Sequence, residues 1–203
     1  MFTTYGFPIE LTEELAQEKG QTIDRVVFDE KMREHQKLSQ TASAGMFKGG
    51  LANTNEATIK LHTAHHLLLA ALQQVLGKNV KQRGSNITEE RLRIDFSFER
   101  KLTDGEKQQV EKIVNDAITA DYRVIRCEMP REEAEKIGAE MEFGAKYADV
   151  VSVYLIEDAT GSHISKEFCG GPHVEHTGVL GHFKITKEEA SSQGVRRIKA
   201  VLE

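Results

Sequence analysis

The spacing of apolar positions changes along the chain, and each change predicts a different kind of element. In the stretch 56–76, Leu67, Leu68, Ala71, Leu72 and Val75 recur at helical spacing, and Gly77 is a natural stop. In RLRIDFSFE, Leu92, Ile94, Phe96 and Phe98 alternate with polar residues, as a strand with one buried face should. TDGEKQQVEKIVNDAITAD returns to the helical period, with Val110, Ile113, Val114 and Ala117 facing inward. Its Thr103 stands three residues before Glu106, the spacing of a capping box. YRVIRCEM reads as a short strand, Pro130 starts a charged helix REEAEKIGAEM, and DVVSVYLIE is the strongest strand of all. HISKEFCGG, GHFKITKEEA and GVRRIKAVLE read as further short strands and turns.

Before residue 45 the pattern is charged and helical. Thr12 can cap ELAQEKG with Gly20 as its stop, and Thr22 can cap a longer helix running through Lys37. Ser39 to Gly50 brings small residues and three glycines, the composition of a linker. The division predicted is a small helical segment over 1–44 and an α+β domain over 45–203. That domain has a largely antiparallel sheet and one conspicuous buried helix. No internal repeat is present.

With 203 residues, 39% of them hydrophobic, the chain can bury one generous domain with an appendage. It has no run of about 18 apolar residues, the length of a membrane span. The opening MFTTYGFPIELTEE lacks the basic and apolar regions of a signal peptide, so a cytoplasmic location is expected. Two cysteines, Cys127 and Cys169, make no disulfide framework and read as a buried thiol or a metal ligand. A net charge of −5 argues against indiscriminate nucleic-acid binding but leaves room for local basic faces. Two exist: Lys78, Lys81 and Arg83 in GKNVKQRGS, and Arg196, Arg197 and Lys199 in GVRRIKA. Taken alone, each reads as solvated surface charge.

Candidate chemistry begins where the 56–76 helix carries three histidines in HTAHH. His62 and His66, four apart, share one helix face. Cys169 and His173 repeat that spacing in CGGPH, beside glycines that permit sharp turns. Three imidazoles and a thiolate are a credible tetrahedral set for Zn²⁺. His65, His163, His176 and His182 read as surface residues or as partners of a ligand, and His35 as a solvated helix residue.

Several segments resemble one family in order along the chain. HTAHHLLLAALQQVLG, CGGPHVEHTG and SSQGVRRIKAV are similar to segments of the editing domain of alanyl-tRNA synthetases. FKGGLAN resembles the stretch that precedes that histidine-bearing helix, and TYGFPIELT the stretch that leads out of the family's tRNA-recognition helices. The likeness covers the editing half of the family's chain and the end of its tRNA-recognition region; the aminoacylation core has no counterpart. It implies an editing-domain fold and hydrolysis of mischarged Ser-tRNA(Ala) and Gly-tRNA(Ala), with the acceptor end of tRNA(Ala) as partner. The family's zinc ligands fall on His62, His66, Cys169 and His173, and its pocket-lining glutamine on Gln82. Cys169 is also a catalytic candidate, as the ligand whose detachment would open the ion to water or substrate. Lys78, Lys81, Arg83, Arg196 and Arg197 are the candidates for RNA phosphates. Two departures stand out: His65 where the family often has threonine, and Pro172 where it has the threonine of CGGTH. The proline is similar to threonyl-tRNA synthetase editing domains. A threonyl-type or free-standing deacylase, or a non-catalytic zinc-containing tRNA-binding module, therefore stays open beside the alanine reading.

Overall fold

The computed structural model describes residues 9–31, 33, 50–141 and 147–203. The chain divides into two compact units at 45/46. In the first, helix α1 (Ile9–Glu18) starts ahead of Thr12, so that residue lies inside the helix and not at its cap. The chain leaves α1 through Gly20, at φ +68. The next helical stretch, over 25–31, is capped by Asp24 and not by Thr22. The Asp24 carboxylate accepts the backbone N–H groups of Val26 (2.9 Å) and Val27 (3.3 Å). The remainder of the predicted run to Lys37, with His35, and the linker over 39–49 fall outside the described residues.

The second unit is built around helix α2 (Glu56–Leu76). Asn55 caps it, its side chain accepting the Thr58 N–H at 2.9 Å, and Gly77 at φ +109 ends it. Burial extends beyond the leucines to Thr63, His65 and His66. A helix covered on most of its circumference runs through a protein and not along its surface.

Two antiparallel sheets form, where the sequence suggests a single one. The first has β1 (Gln82–Ile87), β2 (Leu92–Ser97), β7 (Val195–Leu202) and β6 (Phe183–Ser192), paired in that order. The second has β3 (Arg123–Pro130), β4 (Val150–Glu157) and β5 (His163–Phe168). Strand β1 is unexpected because QRGSNI has no apolar alternation; it lies at an edge, where such a strand is tolerated. Helix α3 (Asp104–Thr119) packs beside α2. Leu68, Leu72, Ile94, Phe96, Val114, Phe183 and Ile198 close the main core between them and the first sheet. Burying each such side chain contributes roughly 1.5–3 kcal/mol. Helix α4 (Arg131–Lys136) is shorter than REEAEKIGAEM suggests, because Gly138 turns the chain at φ +75. Glu140 then runs beside β5, its N–H donating to the Lys166 carbonyl at 2.8 Å and its carbonyl accepting from Phe168 at 2.9 Å. Among the described residues no helix is long and apolar enough to cross a membrane.

The capping box of α3 forms as predicted: Thr103 Oγ1 accepts the Glu106 N–H at 3.2 Å, and Glu106 accepts the Thr103 N–H at 2.8 Å. The Arg100 guanidinium, and then the Thr103 N–H, hold the Glu106 carboxyl down to about 2 from an ordinary 4.5. That contribution is in place above about pH 4.5 and fades as pH falls towards 2. Thr103→Ala is expected to lower stability by about 1 kcal/mol, read as an earlier urea midpoint with unchanged slope.

Candidate metal centre

His62 and His66 project from one side of α2, one helical turn apart. Cys169 follows directly on the end of β5, and His173 stands at the far end of the tight turn Gly170–Gly171–Pro172. The turn meets α2 closely. A Cβ at Gly171 would lie 2.7 Å from His62 Cε1 and 2.8 Å from Leu51 Cδ1, so only glycine fits. One ligand atom from each of His62, His66, Cys169 and His173 lies within 4.8 Å of the others. The two pairs separated in sequence thus meet, and the group could hold a metal ion.

Hydrogen bonding fixes which ring nitrogens point inward. His62 Nδ1 lies 3.0 Å from the Pro172 carbonyl, which can only accept, so Nδ1 carries the proton. Thr63 Oγ1 donates its single proton to the Ile59 carbonyl (3.3 Å) and accepts the Val174 N–H (3.2 Å). In the tautomer that leaves this proton directed at Ile59, Thr63 Oγ1 also accepts from His173 Nδ1, at 3.1 Å. Both rings are left with lone pairs on Nε2, and both Nε2 atoms lie 3.4 Å from Cys169 Sγ. A thiol has one proton for these two lone pairs. His66 Nδ1, moreover, is buried with no partner. A donor-poor group of buried lone pairs around one sulfur fits a divalent cation well.

Burial pushes the His62 imidazole down to about 4 from an ordinary 6.5, against the pull of the Pro172 carbonyl. Burial, and then His62, push His65 down to about 3. His66 and His173 are held well below their ordinary value, first by burial and then by neighbouring imidazoles. All four rings are neutral near pH 7, the form in which imidazole binds metals. Glu167, also buried, lies 3.6 Å from His66 Nε2 and accepts from Ser165 Oγ at 3.0 Å.

A narrow pocket, open to solvent on one side, adjoins the cluster and is lined by His62, His65, His66, Gln82, Glu140 and Cys169 among others. Gln82 begins β1 and is 9% exposed; a bulge between Gln82 and Gly84 sets its direction. His65 is no surface residue. It is 3% exposed, with a partnerless Nε2. His163, His176 and His182 are exposed, and Cys127 is half-buried on β3.

The basic residues separate into two groups. Lys78 and Arg83 are exposed. Lys81 holds both carboxylate oxygens of Glu140 at 2.7 and 2.8 Å. Arg196 pairs with Glu188 at 2.6 Å, and Arg197 grips Asp95 through two bonds of 2.6 and 2.9 Å. These two arginines cross-brace the first sheet.

Residues 1–114 match the family described as tRNA synthetases class II (A), and residues 151–199 match the threonyl and alanyl tRNA synthetase second additional domain. Over all 203 residues the chain is 58% identical to an alanine--tRNA ligase of Treponema denticola. It is 53% identical over 202 residues to that of Borrelia hermsii. Over 145 residues, 71% of the chain, it is 44% identical to that of Francisella tularensis subsp. mediasiatica. It spans 33% of the length of the first two relatives and 16% of the third.

Gly171→Ala is expected to drive His62 and Leu51 apart from the turn, lowering stability by about 1–3 kcal/mol. Thermal melting and a cobalt absorption titration, reading weaker binding of the ion, check it.

Proposed function

The chain belongs to the alanine--tRNA ligase family, and from that premise we propose that residues 45–203 are an editing domain hydrolysing Ser-tRNA(Ala) and Gly-tRNA(Ala). Residues 1–44 are then the end of the tRNA-recognition region, and the setting is the cytoplasm. What carries the reading is the convergence of His62, His66, Cys169 and His173 beside a pocket lined by Gln82.

The chemical need is clear. A pocket shaped for alanine cannot strongly reject the smaller glycine or a serine that adds only a hydroxyl, so a second, hydrolytic site is required. That site can select for serine through a buried polar group that alanine leaves unpaired. Gln82, which lines the pocket, is the residue proposed for this role, its amide offering both a donor and an acceptor.

The ion proposed is Zn²⁺, suited by three neutral imidazoles and a thiolate. When bound, it would polarise an ester oxygen or hold a water. The protein's own residues do the rest. Pro172 and Thr63 hold the inward nitrogens of His62 and His173 in place. Leu69 and Phe168 give the pocket apolar wall, which keeps bulk water from the ester. Lys78 and Arg83, both exposed, are the proposed contacts for RNA phosphates, with Lys81 beside them; Arg196 and Arg197 support the sheet behind.

Purified protein is expected to carry about one zinc ion per chain by mass spectrometry and to deacylate both mischarged tRNAs. Gln82→Ala should slow serine release more than glycine release, by about tenfold. Cys169→Ala should lose zinc and activity together. A zinc-loaded wild type that hydrolyses neither ester would turn the reading to a binding module. Preference for seryl-tRNA(Thr) would turn it to the threonyl type.

A further inference from the structure

At the pocket edge, Lys81 Nζ faces both oxygens of Glu140, with the two side chains 50% and 24% exposed. Both backbones are fixed. The Lys81 N–H donates to Ser97 Oγ on β2, while Glu140 is hydrogen-bonded to Lys166 and Phe168 on β5. The pair therefore joins the two sheets through side chains alone. An ion pair this open adds little to stability.

A carboxylate is a strange wall for a pocket that admits the end of a polyanion. Glu167, the other carboxylate there, is buried, accepts from Ser165 and lies beside His66. Glu140 is turned to a primary ammonium on a flexible stem. An aminoacyl ester carries one such group itself, its free α-ammonium, and carries phosphates a few bonds away.

Building on the deacylase reading above, we propose that Glu140 is the counter-ion of the substrate's α-ammonium and that Lys81 occupies its place in the free protein. On binding, the two ammonium groups exchange, and Lys81 is released towards a phosphate. No covalent bond changes in this step. The pocket then selects esters with a free amine and rejects those whose amine is acylated, as in peptidyl-tRNA. Glu140 is a specificity residue under this assignment.

The test compares seryl-tRNA(Ala) with the α-hydroxy ester made from it by nitrous-acid deamination. That change replaces the ammonium by a hydroxyl at nearly equal size. The ratio of kcat/KM values, divided by the ratio of uncatalysed rates, isolates recognition of the amine. For the metal-loaded wild type this quotient should be about tenfold or more, the size of one hydrogen bond to a charged group. Glu140→Gln should bring it close to one with metal content and melting temperature unchanged. Lys81→Met, which removes the competitor, should raise it. An unchanged quotient in Glu140→Gln, or a quotient that fails to rise in Lys81→Met, overturns the assignment while leaving deacylation intact. A wild type inactive on seryl-tRNA(Ala) overturns both.

Discussion

The structure turns on a shortage of protons around one sulfur. His62 and His173 each direct a lone pair at Cys169 Sγ, while His66 keeps a buried nitrogen with no partner. In a low-dielectric interior such a group is unfavourable by itself, since every unfilled lone pair has lost its water. Protonation does not relieve it, because the same burial drives the imidazole protons away. A divalent cation would resolve the imbalance. The surrounding construction makes sense on those terms: a glycine where His62 approaches, a carbonyl and a hydroxyl that hold the outer nitrogens, and a helix buried on nearly all sides.

The rest of the unit brings this group to an opening. α2 lies against the first sheet and also contacts β5, so its histidines sit where Gln82 from one sheet and Glu140 and Cys169 from the other meet. The acidic balance of the chain is handled locally. Arg196 and Arg197 pair with Glu188 and Asp95 within the sheet, and Lys81 pairs with Glu140 beside the pocket. Net charge alone therefore describes the site poorly.

What was legible in the sequence follows from how local the signal is. The Gly77 stop of α2, the capping box of α3 and the alternation in β2 are written within a few residues and form as expected, and the two i, i+4 pairs come together as a group that could hold a metal ion. β1 escaped because an edge strand can be polar on both faces. Thr22 and Asp24 are both good caps, and only the backbone decides between them. His65 lies off the apolar stripe, yet α2 is covered there too by the pocket wall. Glu140 carried no signal at all: a glutamate after a charged helix looks like surface until tertiary structure sets it opposite Lys81. Arg196 and Arg197 look like an RNA patch until Glu188 and Asp95 are seen beside them.

Thr63 has a larger part than its size suggests. One hydroxyl ties Ile59 on the helix to His173 and Val174 in the turn, while Pro172 ties the same turn to His62. These bonds need no ion. The atoms that close the turn onto the helix therefore also orient the side chains that face Cys169, so a substitution at Thr63 would disturb packing and side-chain aim together.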